Sequence, residues 1–377
     1  MRSNGSAQRE AALPPRFYLS NEIFEQELET IFTKEPRYVG TTQLVPNEGD
    51  FFTLRGENDG RILTRTPRGA ELFSNVCKHR QAIMLNGRGY TKNIVCPLHR
   101  WTYDSSGALI GAPHFEPQPC RKLEQFPVHS WNELLFESDK PIDEVIQAFP
   151  GDILEEIDLS RYVFDRVEYV DCQYNWKTFL EFYLEDYHVD PFHPGLSQFL
   201  DCRTLAWRMG KQFSIQAVEL KNRLQDAPAT DVYGKWHSAV KGYYGENLPK
   251  YGAIWIYLYP SVMIEWYPMV LIVSTLTPLG PERTLNQIEF YHPDNIMLFE
   301  PDFIAGARAG ADAYLETAAE DDEIGIRMQH GRHALWMRGA SETGPYHSKF
   351  ELGMIHFHNL YQRKMADALM CRNLLAV

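Results

Sequence analysis

Cys77-Lys78-His79 and Cys96-Pro97-Leu98-His99-Arg100-Trp101, with sixteen residues between His79 and Cys96, decide how this chain is read. Each run offers one thiol and one imidazole. Four such donors suit a tetrahedral metal, iron or zinc. A zinc finger pairs Cys with Cys and His with His along the chain. Here each run contributes one of each. That suits a two-iron cluster in which one iron takes both thiolates and the other both imidazoles. Neutral imidazole in place of anionic sulfur makes reduction easier and lifts the potential to between about −150 and +300 mV. Structural zinc and ordinary buried core residues are the competing readings of the same four side chains.

Around these runs the pattern is of short strands: Phe51–Leu54, Ile62–Thr64 and Leu72–Ser74, with Asn58-Asp59-Gly60 as a turn between the first two. We expect a small all-β domain over residues 38–150. Residues 1–37 precede it, read as a loose polar tail to Pro15 and a helix over Leu19–Phe32, with Asn21 as its candidate cap. After 150 the periodicity changes. Trp176–Tyr187 has helical spacing, runs such as Ile254–Leu258 and Val270–Val273 repeat as strands of an antiparallel sheet, and 300–337 returns to helix. Residues 151–377 form the second domain.

A second constellation lies in Asn175-Trp176-Lys177 and the run Glu185-Asp186-Tyr187-His188-Val189-Asp190-Pro191-Phe192-His193. Two histidines five apart diverge by about 140° on a continuous helix, too far to share a metal easily. Pro191 disfavours helical geometry at Asp190 and predicts that the helix stops there, letting His193 curl back toward His188. Two imidazoles and one carboxylate make the facial triad of mononuclear Fe(II), with positions left open for O₂. A rival reading takes Glu185-x-x-His188 and Glu289-x-x-His292 as a di-iron pair, but that site needs both on facing helices and Leu285–His292 reads as a strand.

Composition excludes several classes. Of 377 residues, 44% are hydrophobic and 23% charged, so a disordered or fibrous chain is ruled out. A net charge of −13 argues against nucleic acid as partner. Met1–Pro15 has no apolar signal segment, and Pro260, Glu265 and Pro268 cut the most apolar stretch, Tyr251–Leu279, below membrane-spanning length. No membrane partner is expected. Six cysteines in a chain able to bury a large core read as thiols of a reducing, cytoplasmic compartment, with Cys120, Cys172, Cys202 and Cys371 as structural residues. No Gly-x-Gly-x-x-Gly follows a strand, so no dinucleotide fold is visible.

Taken together, the two constellations resemble the Rieske non-haem iron oxygenases, in their terminal oxygenase or alpha subunits. Cys-x-His followed by Cys-x-x-His is similar to the Rieske signature, with Lys78 where the family often has Pro. Asn175-Trp176-Lys177 and the following acid-x-x-His-x₄-His resemble the iron-site region. The resemblance implies an α+β chain: an N-terminal all-β Rieske 2Fe-2S domain, then a helix-grip (START-like) catalytic domain with an antiparallel sheet. It implies that Cys77, His79, Cys96 and His99 hold the cluster and that His188 and His193 bind Fe(II). The third ligand falls at Asp321, since Glu320-Asp321 precedes Gln329-His330-Gly331 as in the family, with Asp322 as the neighbouring rival. Glu185 takes the place of the acid that bridges one subunit's iron-ligand His to a cluster His of the next. Most ring-hydroxylating members have Asp there. Glu occurs in members similar to carnitine and choline oxygenases.

By the same resemblance the partners are O₂, a small organic substrate and a separate NAD(P)H-dependent flavin reductase, with or without a ferredoxin, and the assembly is a homotrimer. Two substrate classes follow: an aromatic ring or acid, or an N-methyl or quaternary ammonium compound with C–N cleavage. Glu185 favours the second. Tyr and Trp at 255–267 suit either a cation-binding face or a strand core. The non-enzymatic alternative is a Rieske electron-transfer protein with a helix-grip ligand-binding module.

Overall fold

The computed structural model describes residues 12–371, with side chains through 366. The first eleven residues of the expected tail, and the Cys371 side chain, lie outside the described residues. The chain divides into two compact units, residues 35–147 with 158–164, and the remainder.

The first unit is built of short antiparallel strands. Asp50–Thr53, Arg61–Thr66 and Gly69–Ser74 pair in sequence within a five-stranded sheet. Asn58 and Asp59 both adopt left-handed backbone in the turn, as their short polar side chains allow. A three-stranded sheet of Ile94–Val95, Thr102–Tyr103 and Leu109–Gly111 carries the second Cys/His run. Gly107 turns this sheet at φ +80°, and a Cβ there would meet the Phe73 ring at 3.2 Å. Phe73, Tyr103, Leu123 and both ligand-type cysteines share one buried cluster.

The second unit is organised on a seven-stranded antiparallel sheet. We number its strands β1 (Tyr162–Cys172), β2 (Leu200–Met209), β3 (Phe213–Leu220), β4 (Tyr251–Leu258), β5 (Val262–Tyr267), β6 (Val270–Gly280) and β7 (Arg283–Pro293). Their order across the sheet is β1-β7-β6-β5-β4-β3-β2, which puts β5 at the centre. The helices used below are α1 (Trp176–Tyr183), α2 (Val189–Phe192), α3 (Pro194–Phe199), α4 (Asp231–Tyr244) and α5 (Pro301–Met337). Asn175 caps α1 by accepting the Lys177 N–H at 2.9 Å. Beneath it, the Lys177 ammonium pairs with Glu27 at 2.6 Å, both fully buried.

Two expectations need correction. At the N-terminus Ser20, in extended backbone, caps the helix by accepting the Ile23 N–H, and Asn21 is its first residue. The helix expected over Trp176–Tyr187 ends at Tyr183, before Pro191 can act. Pro191 instead lies inside the one-turn helix α2, where an N–H has no intrahelical acceptor to lose. The break comes from Glu185, whose carboxylate accepts the N–H groups of Tyr187 at 2.5 Å and His188 at 3.2 Å and so holds a turn there.

Candidate metal centres and catalytic cavity

In the first unit the two Cys/His runs form matching turns. Gln81 N–H bonds to Cys77 C=O and Arg100 N–H to Cys96 C=O, and both Gln81 and Arg100 have φ near +60°, at 60° and 59°. Cys77 and Cys96 are each 1% exposed, while the imidazoles point outward. His79 and His99 face each other with Nδ1 atoms 3.1 Å apart. His79 stacks on Trp101 at 4.8 Å, and Phe115 closes against both rings edge-on. The Tyr103 hydroxyl lies 3.6 Å from the Cys77 sulfur and accepts the Lys78 N–H. Two buried thiols beside two convergent imidazole nitrogens are the donor set that a 2Fe-2S cluster with mixed ligands requires.

In the second unit His188 and His193 flank α2, and Asp321 projects from the middle of α5. The Asp321 oxygen lies 2.9 Å from His193 Nε2 and 3.3 Å from His188 Nε2, and one donor atom of each of the three lies within 4.8 Å of the others. The far nitrogen of each ring is fixed by an acid: His188 Nδ1 by Glu185 at 2.5 Å, and His193 Nδ1 by Glu320 at 2.7 Å. Such carboxylate–histidine pairs set which nitrogen faces a metal. The donor set passes a direct fit test. His193 Nε2 and the Asp321 oxygen are buried and satisfied by no hydrogen bond. Burial pulls the His188 pKa down, but the Asp321 and Glu185 carboxylates outweigh it and push it to about 10. The carboxylates thus favour positive charge at these imidazoles, carried by protons unless a divalent cation displaces them.

Asp322 lies outside the three converging donors. One helical position turns it about 100° away, and among the described residues the three converging donor atoms are those of His188, His193 and Asp321. The di-iron rival is excluded by placement: Glu289 and His292 lie on β7, where Glu289 accepts from Gln287 and Tyr291 and His292 Nδ1 meets the Met269 carbonyl.

A cavity opens onto the three donors. Phe179, Phe182 and Tyr183 of α1, Tyr233 and Trp236 of α4, and Trp255 and Tyr267 of the sheet form its walls. Gly310 of α5 leaves room for Trp236, since a Cβ there would meet the indole nitrogen at 2.9 Å. Glu265, on β5, joins the lining. It is 3% exposed and accepts from the Tyr267 hydroxyl at 2.7 Å and the Tyr314 hydroxyl at 3.1 Å. Burial raises its pKa to about 7 against the pull of those two hydroxyls. Sequence reading named neither Glu320 nor Glu265 as a site residue. The signal for Glu320 was available, because a metal-binding His needs an acceptor at its other nitrogen. The signal for Glu265 was an acid at an inward position of an otherwise apolar central strand.

Residues 35–127 match the Rieske 2Fe-2S domain, and residues 159–367 match the ring hydroxylating alpha subunit (catalytic domain). The chain belongs to this family: it is the alpha subunit of a Rieske oxygenase, an oxidoreductase with a 2Fe-2S cluster domain and a mononuclear iron catalytic domain. Among curated relatives it is similar to putrescine 2-hydroxylase of Ralstonia nicotianae, 52% identical over 356 residues that span 94% of this chain and 96% of that one. The glycine betaine monooxygenase oxygenase subunit of Pseudomonas aeruginosa is 26% identical, spanning 95% and 90% of the two chains. The fold is shared with the crystal structure of the quaternary ammonium Rieske monooxygenase CntA, at a TM-score of 0.75 and 19% identity over 94% of this chain and 95% of that one.

Proposed function

We propose that this chain is the terminal oxygenase of a multicomponent system that hydroxylates a small aliphatic amine of the putrescine type. One observation carries the catalytic part: two imidazole nitrogens and a carboxylate oxygen converge on one wall of an aromatic cavity. The substrate class follows the putrescine-hydroxylating relative, 52% identical along nearly the whole chain. His188, His193 and Asp321 hold the iron, and Cys77, His79, Cys96 and His99 hold the cluster.

When bound, the cluster supplies single electrons and the ferrous iron supplies the place where O₂ is activated. The protein does the rest. Glu185 and Glu320 keep a proton on Nδ1 of His188 and His193, so both Nε2 lone pairs stay available to a metal. The aromatic walls exclude water and hold an alkyl chain beside the iron site, which limits oxidation without substrate. Glu185 has a second task. Its Oε1 holds His188, and in a homotrimer the same carboxylate would stand between His188 and His99 of a neighbouring subunit, giving the electron a path between subunits. Electrons come from a separate NAD(P)H-dependent flavin reductase, with or without a ferredoxin.

The test is product analysis with NADH and a surrogate reductase, using putrescine, a quaternary ammonium panel and an aromatic panel. We expect hydroxylated putrescine. Turnover of aromatic or quaternary compounds alone would overturn the amine reading.

A further inference from the structure

Glu265 occupies a buried position of the catalytic unit, 3% exposed. It sits on the central strand, flanked by Trp255 on β4 and Ile272 on β6. Burying a carboxylate there is costly unless it is paired. Two buried acids elsewhere in the unit meet cations, Glu27 with Lys177 and Glu181 with Arg332 and His358, whereas Asp186, 2% exposed, does not. Among the described residues, no Lys, Arg or His nitrogen lies within 4.0 Å of Glu265.

The hydrogen-bond directions around it are set. The Trp255 indole can only donate, and its N–H reaches the Tyr267 hydroxyl at 2.7 Å. That hydroxyl therefore gives its proton to Glu265 Oε2, and Tyr314 reaches Oε1. Both oxygens are used as acceptors, which is the arrangement of a carboxylate. An ionised carboxylate offers about four acceptor positions, and these two bonds leave others free. The side chain faces the same cavity as His188, His193 and Asp321. Those positions can accept the N–H donors of a cation entering through the cavity.

We propose that Glu265 is the ammonium anchor of this cavity: held by Tyr267 and Tyr314, it ion-pairs with a primary ammonium group of the substrate and selects primary over quaternary amines. This rests on the reading of the chain as an amine hydroxylase. A primary ammonium brings three donors to the free acceptor positions. A quaternary one has none and keeps its charge farther from the oxygens, where only the aromatic rings attract it.

The test is calorimetric titration of the anaerobic, iron- and cluster-loaded protein with putrescine, butylamine and butyltrimethylammonium. Wild type should bind both primary amines and prefer butylamine to its trimethyl analogue. In Glu265→Gln, affinity for primary amines should fall about tenfold or more, with the quaternary compound little changed and with iron content and cluster absorption intact. Glu265→Asp should keep the preference at lower affinity, and Tyr314→Phe should weaken primary amines by only about threefold. A purely structural Glu265 would shift the melting temperature of these variants without moving the preference ratio. Butylamine binding to Glu265→Gln within about twofold of wild type would overturn the anchor while leaving the amine reading intact. Wild type that binds none of the amines would overturn both.

Discussion

In the first unit, the proposed cluster donors come from two loops, each carrying its Cys and His within four residues and closed by its own backbone bonds. In the second, two donors flank a one-turn helix and the third arrives from a helix far along the chain. The first set is held by local turn geometry, whereas the second depends on α5 packing at the right rotation. Acids also play different parts. Among the described residues, no carboxylate bonds to His79 or His99, which meet each other, Trp101 and Phe115. Both proposed iron-site histidines have one. A site assembled from distant elements needs added orientation, and a site made of two self-closing turns does not.

This contrast can be broken most sharply at Asp321. Asp321→Ala should lower iron from about three to about two per chain and cut product formation by at least about 100-fold, while the cluster's visible absorption stays. Unchanged iron content would remove Asp321 from the ligand set. Glu185→Gln should leave both metals bound and slow product formation about 100-fold, because the bridge and the His188 orientation go together. Turnover at the parental rate would refute the bridge. Glu320→Gln acts on one ring only. Iron affinity, read by competition with a chelator, should weaken about tenfold with no change at the cluster. An equal loss of cluster would mean that the two sites are not independent.

The smallest effect is on pH dependence. Burial raises the Glu265 carboxyl to about 7, against the hydroxyls of Tyr267 and Tyr314 and with a further upward push from the Asp321 charge. The Tyr183 hydroxyl also faces it. A carboxyl whose folded pKa is raised stabilises the fold below its unfolded pKa, about 4.3, and loses that contribution as pH climbs through the folded value. Without amine, the melting temperature of wild type relative to Glu265→Gln should therefore decline from pH 5 to pH 8. Amine binding needs the ionised form, so affinity should increase about fivefold from pH 6 to pH 7 in wild type and stay flat in the variant. A flat wild-type profile would mean that Glu265 is not the group being titrated.

Much of the fold was legible because it rests on short-range patterns. The strands at 50–74, the runs that became β3 to β7 and the helix over 300–337 all follow from periodicity, and the Asn58-Asp59 turn from local backbone preference. The helix that starts at Trp176 ends before its periodicity predicts, where the Glu185 carboxylate takes the N–H groups of Tyr187 and His188. Pro191 was harmless in the first turn of α2. The capping carboxylate, three residues before a histidine, was the stronger stop.

What the sequence determined is the pair of metal motifs: donor chemistry and spacing along one or two turns are properties of the chain itself, since a few residues cannot wander far from their neighbours. Which of Asp321 and Asp322 turns toward the histidines, that Glu320 supports His193, and that Glu265 reaches the cavity without a cationic neighbour were decided only by the tertiary structure. Each depends on the rotation of a long helix or the sidedness of a central strand. Those are set by packing between segments distant along the chain, a quantity that no local pattern encodes.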